Sequence, residues 1–412
     1  MPEFRPFKAF RPKQEFAQKV AAKPYDVLSS DEAREEVKDN PISFLHVGKP
    51  EVDLDPSVDL YDPKVYQKAK ENLQKMIDDK ILVQDPEENL YVYAQTMNGR
   101  TQYGLVGCVH KDDYWNDNIK KHEKTRKAKE EDRSEHVRVT NAHTGPIFLT
   151  MHDNHEINAI VEKVIKDATV NDLVDSMQVR HTSWIVKDKA DSEKLQQILR
   201  NTNYFYIADG HHRSAAGAIV GSEREKANPD HTGNEEYNFY LAVLFPASNL
   251  HIMDYNRVVV DLNGNSHADF LAKIKEVFDV EEKTSQYKPA RKGEVGMFVN
   301  NQWYKCTFKL KFASNDPVEG LDVQLLQNNV LSPILGVDDP RTCKRIDFVG
   351  GIRGLGELER RVNSGEMQVA FAMYPTSILE LMDISDVGKI MPPKSTWFEP
   401  KLADGMFVHF MD

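Results

Sequence analysis

Apolar positions recur along this chain with two different periods. Over residues 62–80, Val65, Ala69, Leu73, Met76 and Ile77 keep helical spacing, which predicts an amphipathic helix. A shorter helix is predicted over 31–37, with Ser30 as N-cap and acidic residues in its first turn. Residues 90–97 and 102–109 are instead rich in β-branched and aromatic side chains. Asn98-Gly99 lies between them, the favoured two-residue hairpin turn because both positions tolerate positive φ. The next elements alternate: strand 145–151, helix 156–166, strand 181–186, helix 192–200, then the buried-strand run Tyr204 to Ala208. That order predicts an α/β unit. After a polar loop over 224–236, strands are predicted at 238–245 and 250–260, the latter carrying Asn256 and Arg257. A helix near 268–278, a hairpin through Asn300-Asn301, helices near 321–328 and 356–363 and a strand at 368–374 read as α+β. The expected domains are an N-terminal α+β region over 1–100, a catalytic core over 101–236 and a C-terminal α+β domain over 237–412.

The run Tyr204 to Ala208 leads directly into Asp209-Gly210-His211-His212-Arg213, followed by the small residues Ser214 to Val220. A strand, a sharp turn and a tightly packed helix are predicted there. Helix N-termini expose unpaired N–H groups and favour anions, so a carboxylate, two imidazoles and a guanidinium at such a turn suggest phosphate chemistry. Residues 119–137 are densely charged. As a helix they would align His122, Arg126, Lys129, Arg133 and His136 in one basic stripe, with Glu123 near its start. A solvated face laced with weak ion pairs is the plainer reading of the same pattern. A closing loop, Met391-Pro-Pro-Lys-Ser-Thr-Trp-Phe-Glu-Pro-Lys401, presents Lys394, Ser395 and Thr396 on a rigid backbone.

Composition narrows the function classes. The 412 residues carry a net charge of −12, which argues against nonspecific nucleic-acid binding. No apolar run is long enough for a membrane span and no signal peptide is expected, so the expected location is the cytoplasm. Cys108, Cys306 and Cys343 are scattered without zinc-site spacing and suggest a reducing compartment. Neither a phosphate-binding Walker loop nor a dinucleotide fingerprint occurs, and His211-His212 lacks the i,i+4 spacing of a zincin. What remains is a pair of acids, Glu123 and Asp209, among cations and imidazoles. Phosphoryl transfer uses that combination: cations spread over the phosphoryl oxygens while a carboxylate orients the attacking hydroxyl, commonly with Mg²⁺.

Several stretches in order resemble the DUF1015 family: Pro24-Tyr-Asp-Val27, Asn40-Pro-Ile-Ser-Phe-Leu-His-Val47, Lys121-His-Glu-Lys-Thr-Arg126, Glu131-Asp-Arg133, Ile207-Ala-Asp-Gly-His-His-Arg213 and Met391-Pro-Pro-Lys-Ser-Thr-Trp397. The turn and the preceding His-Glu also resemble free serine kinases of the ParB/sulfiredoxin superfamily. The resemblance implies a ParB/sulfiredoxin-like core that converts L-serine and pyrophosphate into O-phosphoserine and phosphate, with Mg²⁺ as cofactor. It implies catalytic roles for Asp209 and Glu123 and phosphate contacts for Gly210, His211, His212 and Arg213. His122, Arg126, Lys129 and Arg133 are assigned to the donor from charge and position. His181, Trp184, Lys394, Ser395 and Thr396 are candidates for the substrate. Sulfiredoxins carry a cysteine where this chain has His211, which removes their nucleophile, and no helix-turn-helix of DNA-partitioning relatives is evident. The competing readings are an ATP- or ADP-dependent kinase of serine or another small hydroxyl compound, and a non-catalytic ParB-type nucleotide-binding module. The metal ligands and oligomeric state are left undefined.

Overall fold

The hairpin around Asn98-Gly99 forms as expected, both turn residues having positive φ (51° and 77°), and it is built into a nine-stranded sheet. The computed structural model describes residues 1–412. It divides into two compact units: Met1–Leu250 with Pro400–Asp412, and His251–Glu399. The strands of the first sheet are β1 (Phe4–Arg5), β2 (Tyr91–Met97), β3 (Arg100–His110), β4 (Ile119–Lys120), β5 (Ile147–Met151), β6 (Asn171–Val174), β7 (Arg180–Ile185), β8 (Phe205–Asp209) and β9 (Phe239–Pro246). They run in the order β4-β8-β5-β9-β3-β2-β7-β6, with β1 on β3. β4 and β8 are parallel, as are β5 and β9, and the other pairs are antiparallel, so the sheet is mixed.

The helices of this unit that bear on the site are α1 (Ser30–Val37), α2 (Pro63–Asp78), α3 (Lys127–Thr140), α4 (His155–Val164), α5 (Lys189–Arg200) and α6 (His211–Ala227). α1 starts one residue earlier than expected, because Ser29 forms a capping box with Glu32. α4 and α5 bury Ile157, Ile160, Val161, Leu195 and Leu199 in one core with Leu149, Ile207 and Leu244 of the sheet. α6 packs through glycine: a Cβ on Gly217 would come within 2.8 Å of the Tyr240 ring, and one on Gly221 within 2.5 Å of the Tyr237 carbonyl. The closing segment returns to this unit, where His409–Phe410 pairs with Ala142–His143.

Two expectations are corrected. The boundary at 100/101 cuts the β2–β3 hairpin at the Met97↔Arg100 pair, and the one at 236/237 removes β9 from β3 and β5, its ladder partners. The long helix over 119–137 is also shorter than its charge periodicity implied. Ile119 is fully buried as a strand residue opposite Phe205, residues 121–126 form a loop, and α3 begins only at Lys127. His122, Glu123 and Arg126 therefore precede the helix, and the single stripe does not form.

The second unit has an antiparallel six-stranded sheet of β10 (Tyr255–Val259), β11 (Phe278–Lys283), β12 (Glu294–Val299), β13 (Gln302–Phe308), β14 (Ile346–Gly350) and β15 (Val369–Met373). Their order is β11-β13-β12-β15-β10-β14. Helices α7 (His267–Val277), α8 (Asp322–Leu326) and α9 (Gly354–Asn363) accompany them. The hairpin turn at Asn300-Asn301 forms as expected, both residues at positive φ. Val258, Phe298, Trp303, Leu358 and Ala370 belong to this unit's own core.

Candidate active site

β8 ends in a ladder irregularity: its pairing with β5 shifts between Ile207 and Asp209. Such bulges re-aim side chains at strand ends. Gly210 then takes φ 85°, a left-handed conformation that glycine adopts without steric cost, and α6 starts at His211. The Asp209 carboxylate accepts from the Gly210 N–H at 2.8 Å and from Lys401 Nζ at 2.7 Å. Its side chain keeps 39% exposure, enough to meet a ligand. Burial pushes this carboxyl up, but Lys401 and the Gly210 N–H outweigh it and hold it down at about 2. Lys401 is itself placed by β2, where Gln95 Nε2 donates to its carbonyl at 2.7 Å.

Beside this carboxylate, the rings of His122 and His211 meet edge to face with centroids 4.5 Å apart. Both are buried. Burial pushes His122 down to about 4, against the opposing pull of Asp209 and a backbone hydrogen bond with Ile207. His211 is driven well below the usual histidine range by burial and by His122. Both rings are therefore neutral near pH 7, each with one donor and one acceptor nitrogen. His122 Nδ1 and His211 Nε2 are buried and have no hydrogen-bond partner in the protein. Buried polar atoms are nearly always satisfied, so these two nitrogens mark room for a polar ligand or water.

The other side chains of the turn bind neighbouring segments. His212 Nε2 accepts from the Arg126 N–H at 3.1 Å, tying the 121–126 loop to α6. Burial lowers the His212 pKa, and the charges of Arg126 and Lys129 add to that while Asp26 and Glu130 oppose it. Arg213 forks onto Asp404 at 2.8 and 2.6 Å, and this fork leaves no space beside Gly145. A Cβ at Gly145 would lie 2.4 Å from both Arg213 Nη1 and Asp404 Oδ1. Tyr25 sits against two guanidinium groups, Arg133 at 4.0 Å and Arg213 at 5.3 Å from its ring centroid. Its hydroxyl pKa is pushed up to about 12 by burial, with the two arginines opposing.

The family assignment rests on sequence. A model of the family described as a protein of unknown function, DUF1015, matches residues 4–324. The chain belongs to the DUF1015 family. A search of curated proteins gives no match. Among solved structures, a free serine kinase in complex with AMP is 13% identical, with 71% of this chain and 86% of that chain covered and a TM-score of 0.35. A conserved hypothetical protein from Pyrococcus furiosus is 15% identical (74% and 94% covered, TM-score 0.36). SbnI with a C-terminal truncation, from Staphylococcus aureus, is 10% identical (73% and 85% covered, TM-score 0.39).

Within this DUF1015 chain, the residues gathered around the turn are Asp209, Gly210, His211, His212, Arg213 and His122, with Arg126, Lys129 and Arg133 flanking them. Glu123 follows His122 in the loop with an exposed side chain. His136, part of the expected stripe, is instead buried with Nε2 on the Val47 carbonyl at 2.9 Å. His181 is fully buried, one ring nitrogen on the Tyr93 hydroxyl at 2.5 Å and the other on Asp175 at 3.0 Å. Trp184 is part of the hydrophobic core. Both His181 ring nitrogens are thus spent, whereas Trp184 Nε1 is buried without a hydrogen-bond partner. Lys394, Ser395 and Thr396 belong to the second unit, and the Ser395 hydroxyl is spent on the Pro392 carbonyl at 2.6 Å.

Four residues were not nominated from sequence: Lys401, Asp404, Tyr25 and Gly145. Tyr25 had a signal, since it lies in the Pro24-Tyr-Asp-Val27 stretch. Lys401 ends the loop that drew attention for its hydroxyls. Asp404 and Gly145 had none. No group of three or more His, Cys, Asp or Glu side chains is placed to hold a metal, and no helix is long and apolar enough to cross a membrane.

Proposed function

We propose that this protein is a kinase that phosphorylates free L-serine to O-phospho-L-serine, with pyrophosphate as donor and phosphate as the second product. The first unit then acts as a ParB/sulfiredoxin-like core. The observation that carries it is the ionised, partly exposed Asp209 carboxylate beside two neutral histidines with unspent ring nitrogens. A carboxylate so acidic is a weak proton acceptor. Phosphoryl transfer tolerates this, because its loose transition state asks mainly for alignment and charge stabilisation. Asp209 accepts a hydrogen bond from the serine hydroxyl and points its oxygen at phosphorus. The new O–P bond forms as the bridging P–O bond of pyrophosphate breaks, and the leaving phosphate departs with that electron pair. The serine proton passes through Asp209 to solvent or to the leaving phosphate. Glu123, exposed on the adjacent loop, assists in orienting the substrate. His122, His211 and His212, the N–H groups opening α6, and Arg126, Lys129 and Arg133 take the donor oxygens, whose charge grows in the transition state. Arg213, already forked on Asp404, acts as a fixed positive charge at the edge of the site. Mg²⁺ ordinarily keeps water and phosphate oxygens as ligands, so it enters as part of the Mg²⁺–pyrophosphate substrate.

The test is direct. Purified protein, L-serine and Mg²⁺–pyrophosphate are incubated and O-phosphoserine is quantified, with ATP and ADP in parallel. Product with pyrophosphate is expected. Product with ATP or ADP alone would reassign the donor, and no product with any of the three would end the kinase reading.

A further inference from the structure

In the second unit, Arg257 of β10 is 3% exposed and has no carboxylate partner. Its guanidinium donates to two backbone carbonyls, those of Tyr255 and of Lys394, the latter at 3.1 Å. A guanidinium has five N–H donors, so three are left without a protein acceptor. The contrast within the same unit is sharp. Arg361, also buried, is held by Asp347 at 2.7 Å and by Glu366 at 2.5 Å. Arg345 has Asp261 and Arg341 has Asp339. A buried cation without a counter-charge is costly, and burial does lower the Arg257 pKa, to about 10.

A cavity of about 270 Å³ opens on this guanidinium, walled by Phe348, Leu331, Pro392, Pro393 and Gln324. Two acids and a second arginine also line it: Asp339 is paired with Arg341 at 2.9 Å, while Asp338 has no cationic partner and accepts from the Ser332 hydroxyl at 2.6 Å. The loop that carries the prolines also supplies one of the two carbonyls that hold Arg257. Lys394 sits at φ 59°, an uncommon conformation for a side-chain-bearing residue, and this turn delivers its carbonyl to Arg257. Its Nζ lies 5.5 Å from the Tyr255 ring centroid and has no acidic partner.

We propose that this cavity is a binding site for a small organic anion, its carboxylate or phosphate group taken by Arg257 and its apolar body packed on Phe348 and the Pro392-Pro393 edge. Such a site is independent of the kinase activity, because it is built only from residues of the second unit. A planar fork suits either anionic group, and a bidentate partner would use donors that the protein leaves open. The apolar wall selects an anion with a flat body over a bare inorganic ion.

Calorimetric titration of the full chain with benzoate and phenyl phosphate, against acetate and inorganic phosphate, tests this. The aromatic anions should bind more tightly than their small counterparts. Arg257→Gln should weaken benzoate by about tenfold or more, the equivalent of one charge-assisted contact. Arg360→Gln, at an exposed arginine of the same unit that does not line the cavity, should leave benzoate affinity unchanged. No binding to the wild-type chain, or equal affinity in Arg257→Gln, overturns the proposal. Should Arg257→Gln lose its cooperative melt, Gln324→Glu decides, since it adds a negative charge to the cavity wall from a helix surface. Weaker benzoate binding in that variant supports the site, and unchanged affinity overturns it.

Discussion

Asp209 is subject to two opposed forces, and the cation wins. Burial favours the neutral acid, yet Lys401 at 2.7 Å and the Gly210 N–H keep the carboxylate ionised. Under the proposed function, Asp209→Asn should lower kcat for phosphoserine formation by roughly 10²–10⁴-fold, with the far-UV circular dichroism unchanged. An active variant would remove the residue from the reaction. Lys401→Met tests the same balance differently. Without its cation the Asp209 carboxyl should titrate at higher pH, shifting the acid limb of the pH–rate profile upward. A profile identical to wild type would assign Lys401 to structure alone. Much of this candidate site was legible as sequence, because Asp209, His211, His212 and Arg213 stand within five consecutive positions and Gly210 supplies the turn between them. Their partners were not. Lys401 lies 192 positions from Asp209, and Asp404 lies 191 from Arg213. No local pattern encodes such a pairing.

The Asn98-Gly99 hairpin and the strands Ile147–Met151, Arg180–Ile185, Phe205–Asp209 and Phe239–Pro246 were read correctly, and the start of the helix within 119–137 was not. The Asn98-Gly99 turn needs only its own positive φ values. The α6 run of small residues reads as tight packing, and Gly217 on Tyr240 provides it. Residues 119–137 misled because charge periodicity records only which side chains avoid the core. It does not record that Ile119 is claimed by Phe205 as a strand partner. Close approach between elements also makes a stability prediction. At Gly145 an added methyl group meets the Arg213–Asp404 fork at 2.4 Å on both sides. Gly145→Ala should therefore destabilise the fold by about 1–3 kcal/mol through overpacking, as measured by urea unfolding. A variant as stable as wild type would show that the fork shifts freely.

For the whole molecule, buried neutral histidines dominate the response to acid. His122 and His136 are held at about 4 and about 3 against 6.5 for the free side chain, and burial lowers His143 and His211 as well. The unfolded chain therefore binds these protons first. Their stabilising contribution is complete above pH 6.5 and is lost as the pH falls toward 4. Asp322, raised to about 6 by burial, acts in the opposite sense, as do Asp113 and Asp404, which burial also raises, and His46, which Asp53 raises. Tm should fall steadily between about pH 7 and about pH 5, and a flat profile would contradict neutral burial of the histidines. The division into units makes a further prediction. Residues 251–399, with their own sheet and core, should melt cooperatively when expressed alone. Removing residues 400–412 should lower the Tm of the first unit, because it deletes Lys401, Asp404 and the buried Phe407, Val408 and Met411. What local chemistry could specify was present in the chain from the start: strand and helix periods, the Asn-Gly hairpin, the polar turn after a buried strand. These depend on residues within a few positions of one another. The unit boundaries, the ionisation of Asp209, the neutrality of its histidines and the isolation of Arg257 arise from burial and from partners distant in sequence. Desolvation and ion pairing act on residues only after folding has brought them together.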